Sequence, residues 1–199
     1  MLNMIKGCSI NNPSILFEGY EQTEFGFIAN VNAEKIKHLF EEFVLLHNES
    51  CFIIIEVPTN AKEETALAAD GTQLLHKDVY YLDELTPDRA IEFLRVFGEW
   101  FVHDGLSNFG IGLHSGANEI VLGKYNVVTV YTKTPRKYIN FFESHNIREI
   151  IDLKTAWDYF AHDKPGESFL YEYEGKNVYD MVEYLKRYGL YFAERREIE

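Results

Sequence analysis

The stretch Phe109–Leu122, FGIGLHSGANEIVL, constrains the fold more than any other part of the chain. Phe109, Ile111 and Leu113 alternate with glycines, so a strand through them puts three apolar side chains on one face. Ser115-Gly116-Ala117-Asn118 is turn material, and Glu119–Leu122 resumes the strand pattern. Two strands joined by so short a turn pair antiparallel. The expected architecture is therefore α+β, with a mixed, largely antiparallel sheet and helices packed on it, rather than a doubly wound parallel sheet.

The same glycines invite two chemical readings, and the spacing fits neither. Gly110, Gly112 and Gly116 give GxGxxxG, one residue longer than the dinucleotide pattern. A strand follows them, so no helix N-terminus stands ready to meet a pyrophosphate. No GK[ST] sequence occurs, so there is no P-loop. A nucleophile elbow needs serine at the centre of GxSxG, whereas Gly112-Leu113-His114-Ser115-Gly116 displaces it by one. Adjacent side chains on an extended chain point to opposite faces, which turns His114 away from Ser115. The stretch reads as a hairpin.

Elsewhere the patterning predicts strands at Ile15–Gly19, Phe25–Val31, Val79–Leu82, Asn126–Thr132 and Phe169–Tyr173, with a short one in REIIDL. Cys51–Val57, CFIIIEV, is a near-continuous β-branched run and reads as a strand buried on both faces. A helix runs from Asn32 to about His47, with Ile36, Leu39, Phe40, Phe43 and Val44 at three- and four-residue steps. Thr86-Pro87-Asp88 starts a second helix, stopped by Gly105, and Thr134-Pro135 starts a third. TAWDYFAHD and Lys176–Tyr188 are read as helices, the latter closed by Gly189. Residues 59–76 are polar and alanine-rich, a short helix or mobile excursion, and 190–199 form a tail with an edge strand. With no linker or repeat, residues 1–199 read as a single globular α+β domain. Hydrophobic residues make up 46% and aromatics 15%, enough for a core of packed rings without disulfides or metals.

Charge is the strongest global property. Nineteen basic and 32 acidic residues leave a net charge of −13. Such a field repels phosphates, so nucleic acid and anionic membrane are not expected partners, and it attracts a basic protein. It also serves simply to keep a protein in solution. Cys8 and Cys51 belong to no CxxC pair and are expected to be free. No charged leader precedes an apolar block and no window approaches a membrane span, so the expected compartment is the cytoplasm.

Seven histidines contain no HExxH. His103-Asp104 and His162-Asp163 resemble the His-Asp doublet of metal-dependent HD phosphohydrolases. That family is almost wholly helical and needs two further ligands, and this chain is too rich in strands for it. Both doublets follow an aromatic helix end, where histidine faces the negative end of the helix dipole and aspartate suits the following turn. No metal site and no cofactor are expected.

Acids beside tyrosines offer the remaining candidates. Tyr171 and Tyr173 alternate with Glu172 and Glu174, so a strand would place both acids on one face. Asp83, Glu84 and Glu119 lie in or beside other predicted strands and turns. Tyrosine gives rigid contact area and acids steer a basic surface, so these seven residues are the expected partner-binding set. In general character the chain is similar to bacterial immunity proteins, which bind and block a toxin domain. That likeness of type implies a protein-binding module, an immunity-type inhibitor of a basic toxin enzyme. The alternatives are a hydrolase-like enzyme using His103, Asp104 and His114, and a structural or accessory protein. The sequence carries no signal of oligomeric state or of the partner's identity.

Overall fold

The computed structural model of the chain describes residues 2–67, 75–161 and 165–198. The doublet His162-Asp163 and much of the 59–76 excursion lie outside the described residues. Short β1 (Cys8–Ser9) leads to β2 (Gly19–Thr23) and β3 (Gly26–Asn30), then α1 (Ala33–His47) and β4 (Cys51–Pro58). After α2 (Ala61–Leu67) come β5 (His76–Leu85), α3 (Pro87–His103), β6 (Asn108–Leu113), β7 (Glu119–Leu122) and β8 (Val127–Tyr131). The chain ends with α4 (Arg136–Ser144), β9 (Glu167–Ser168), α5 (Val178–Leu185) and β10 (Tyr191–Glu197). Eight strands build one sheet in the order β10-β5-β4-β6-β7-β8-β3-β2, and β1 pairs with β9 separately. Every pairing in the large sheet is antiparallel. The fold is α+β, as the hairpin requires: Phe109 faces Leu122 and Gly112 faces Glu119 across the 114–118 turn.

The helices α4, α1, α3 and α5 lie side by side on one face of the sheet. Phe109 marks its centre, stacked within 5.3 Å of Phe40 (α1), 5.6 Å of Phe101 and 6.0 Å of Phe93 (both α3), measured between ring centres. Phe27 of β3 packs on Tyr138 and Phe142 of α4, and the Lys186 ammonium that follows α5 sits over Tyr80 of β5. Thr86 caps α3 by accepting the Arg89 N–H, with Pro87 at the first helical position, as its sequence announces. Cys8 and Cys51 are buried and free.

Several local expectations are corrected. Ile15–Gly19 is no strand: Pro13 opens a tight helical turn through Ile15, and β2 starts at Gly19. Phe169–Tyr173 is no strand either. Glu167–Ser168 pairs with β1 and Tyr173 makes a single bridge to Lys176, while between them Tyr171 N–H is taken by the Asp104 carboxylate. REIIDL contributes a single bridge at Glu149, and TAWDYFAHD only a turn over Ala156–Tyr159. Gly105 does not end α3 by a left-handed turn. Asp104 leaves the helix in an extended conformation, and Gly105 is needed because a Cβ there would meet the Gly7 carbonyl oxygen at 1.7 Å.

The main correction concerns β4, which is buried throughout on one face and only in part on the other. Cys51, Ile53, Ile55 and Val57 point under the helices, whereas on the other side Ile54 is buried and Phe52 and Glu56 are half-buried. The apolar character of that second side comes from packing along the sheet. A Cβ on Gly112 would meet the Phe52 ring at 2.2 Å, and one on Gly110 would meet Ile54 at 2.6 Å. Both side chains therefore lie flat across β6, where its glycines leave room. Alternation in FGIGL thus does two jobs, placing large residues under the helices and none on the opposite face.

Candidate functional site: the open face of the sheet

Among the described residues no helix packs on the face opposite α1 and α3. Its β2–β3 corner is crossed, where Ile150 sits over Gly19 and the Asn30 amide donates to the Lys154 carbonyl. Register fixes what the rest of this face presents. One row runs Tyr191, Tyr81, Ile54, Gly110, Val121 and Thr129 across successive strands. The next carries Phe52, Gly112, Glu119 and Tyr131. Rings of Tyr191, Tyr81, Phe52 and His114 follow one another at 5.3–6.3 Å. Tyr131 is 44% exposed and Tyr191 47%, on a face that ordinary packing would cover.

A groove of about 360 Å³ opens on this face. Ile54, Tyr81 and Val121 line it, with Glu119 and Tyr131 along one wall and a charged cluster at one end. Glu56 is the hub of that cluster, its side chain only 11% exposed. It accepts from Lys77 Nζ at 2.6 Å, Asn108 Nδ2 at 2.9 Å and Arg196 Nη1 at 3.1 Å. Arg196 also holds Glu194 through its Nε, so both cations are already engaged. A carboxylate this buried is stable only because donors surround it. Glu119 has no such donors: among the described residues no hydrogen bond or ion pair reaches its carboxylate. Burial, together with the nearby Glu56 charge, pushes its pKa above the usual glutamate range.

The seven residues anticipated as a partner-binding set fall into two groups. Glu119 lines the groove, and Asp83 and Glu84 stand at the end of β5 beside Tyr191, whose hydroxyl donates to Asp83. Glu84 takes a left-handed backbone (φ +55°), which marks the end of regular pairing. Tyr171, Glu172, Tyr173 and Glu174 lie instead beside the C-terminal end of α3, on the helix side. There the Tyr171 hydroxyl donates to Glu99 and accepts from Lys6, and the Tyr173 ring stands edge-on to Trp100. Tyr171 is engaged internally, while Glu172, Tyr173 and Glu174 are exposed.

His103, Asp104 and His114 do not converge. Asp104 is buried, and its oxygens accept the backbone N–H groups of Leu106, Ser107 and Tyr171 at 2.7–3.0 Å. His103 ends α3, accepts the Lys6 N–H on Nδ1, and is held by burial below the usual histidine range. His114 stands beyond the far end of β6, roughly 20 Å along the strand direction. Among the described residues no three His, Cys, Asp or Glu side chains come together as a metal-holding group. No helix among them is long and apolar enough to cross a membrane.

Sequence reasoning passed over Glu56, Lys77, Asn108 and Arg196. One signal was present: Glu56 is the single charge inside the apolar run of β4. No protein-family model, no curated protein and no solved structure matches the chain.

Proposed function

We propose that the protein is a binding module for a basic protein, acting as an immunity-type inhibitor that occludes its partner, with the open sheet face as the contact surface. The observation that carries this reading is the uncovered face itself. An eight-stranded sheet sealed by helices on one side leaves Tyr191, Tyr81, Phe52 and Tyr131 in contact with solvent on the other. Exposed aromatics in a row are costly for a protein acting alone and are the residues that anchor interfaces. Charge supports a basic partner. Lys77 and Arg196 are neutralised by Glu56 and Glu194, which leaves Glu119, Asp83 and Glu84 as uncompensated acids on or beside the face. The overall charge of −13 adds long-range steering.

Of the two acidic groups, the one at Asp83, Glu84 and Glu119 is favoured over the one at Glu172 and Glu174. Tyr171 is committed to Lys6 and Glu99, which leaves Tyr173, edge-on to Trp100, as the one exposed ring there, against a row of aromatics on the open face.

The test is capture of a partner from native lysate, followed by association kinetics at two salt concentrations. A basic partner is expected, captured by the native protein and lost with Tyr131→Ala. Its association should slow severalfold as salt rises, because screening over roughly 10 Å at 0.1 M weakens steering. An acidic partner, or capture that survives both Tyr131→Ala and Glu119→Lys, would overturn the reading.

A further inference from the structure

The groove between Glu56 and Glu119 is shaped for one particular side chain. Gly110 and Gly112 are already covered, since Ile54 leans across the first and Phe52 across the second, so side chains form the floor. Ile54 and Val121 flank Gly110 in the same row and offer apolar sides. One row further, Glu119 and Tyr131 are direct cross-strand partners, so a carboxylate and an aromatic ring stand on neighbouring strands and share one wall. Glu56 cannot serve an incoming cation, since Lys77, Asn108 and Arg196 already occupy its oxygens. Glu119 can.

We propose that this groove receives an arginine side chain of the partner, with its guanidinium paired to Glu119 beside the Tyr131 ring and its aliphatic stem against Ile54 and Val121. The assignment rests on the reading of the open face as a contact surface for a basic protein, and it names the anchor of that contact. Arginine fits better than lysine for a geometric reason. A planar guanidinium pairs with a carboxylate along one edge and stacks on an aromatic ring with its face, and it sheds water more readily than an ammonium. The arginine methylenes would lie against the apolar sides of Ile54 and Val121. Lys77 and Arg196 at the far end oppose a second cation, and their pairing with Glu56 and Glu194 limits that opposition. In the free protein the Glu119 carboxylate is half-desolvated without a counter-ion, a cost that an arriving cation removes.

The probe is N-acetyl-arginine amide, titrated into the isolated protein while the amide resonances of Gly110, Glu119 and Tyr131 are followed. Saturable shifts of these resonances at millimolar probe are expected. The uncharged isostere N-acetyl-citrulline amide should bind about tenfold more weakly, as should arginine amide to Glu119→Gln, since a charge-assisted bond is lost. N-acetyl-lysine amide should be weaker than arginine amide. Equal binding of citrulline, equal binding to Glu119→Gln, a preference for lysine, or no saturable shift would each overturn the assignment. Circular dichroism of Glu119→Gln checks that its fold is intact, and Tyr131→Ala provides a second variant that should weaken arginine binding. Failure here is distinguishable from failure of the wider reading. A basic partner lost with Tyr131→Ala but no arginine binding would leave the contact surface and remove its anchor. Arginine binding with an acidic partner would do the reverse.

Discussion

On the helix-covered face, Phe109 is 1% exposed and surrounded by Phe40, Phe93 and Phe101. On the opposite face of the same strand, Gly110 and Gly112 carry no side chain, and their neighbours lean across to cover them. Both faces are built from the same backbone hydrogen bonds, so secondary structure does not distinguish them. What differs is what lies above. Covered residues gain burial and dispersion from a second layer, whereas open-face residues gain only what their strand neighbours provide. A sheet side that is aromatic yet uncovered has room for change that the core lacks.

The contrast is sharpened most by Phe109→Ala. It removes a ring from the centre of the aromatic stack and should destabilise the protein by about 3–5 kcal/mol, read from urea unfolding. A cost no larger than that of an open-face truncation would break the distinction between the faces. Gly112→Ala comes next. The added methyl meets the Phe52 ring at 2.2 Å, so a loss of about 1–3 kcal/mol is expected. Its size reports how freely Phe52 can swing into solvent, and the double variant Gly112→Ala/Phe52→Ala should recover most of it.

Glu119→Gln should act in the opposite direction and depend on pH. The folded pKa of Glu119 is raised, chiefly by burial, so the group favours the folded state only while protonated. That contribution is complete below the usual glutamate pKa and is lost as pH rises through the folded value. The glutamine variant should therefore melt higher than the native protein near neutral pH and match it near pH 4. A variant less stable than the native protein at pH 7 would show that Glu119 has a counter-ion in solution. The smallest effect on stability belongs to Tyr131→Ala, expected within about 0.5 kcal/mol because the ring is half exposed. Its effect should appear in partner binding instead.

Part of this contrast was legible beforehand. Phe109, Ile111 and Leu113 were placed on one face by alternation alone, and the hairpin at 114–118 by its turn residues. Failures occurred where a distant group competed for the backbone. Phe169–Tyr173 has the composition of a strand, yet Asp104, more than sixty positions earlier, takes the Tyr171 N–H. In β4, a β-branched run suggested burial on both faces, and the burial of Ile54 actually comes from a glycine on the next strand.

By itself the sequence determined the elements whose signals are local: the hairpin, the Thr86-Pro87 helix start, the apolar stripe of α1, the antiparallel α+β class and the charge of −13. Each of these depends on residues within a turn or two of one another, where sterics and hydrogen bonding act without help from the rest of the chain. Only the tertiary structure decided which sheet face would stay open and what would stand on it. Glu56 meets Lys77, Asn108 and Arg196 across separations of 21, 52 and 140 residues. Those meetings follow from the strand order and register of the sheet, which are set by the summed burial of the opposite face and leave no periodic trace in the residues they bring together.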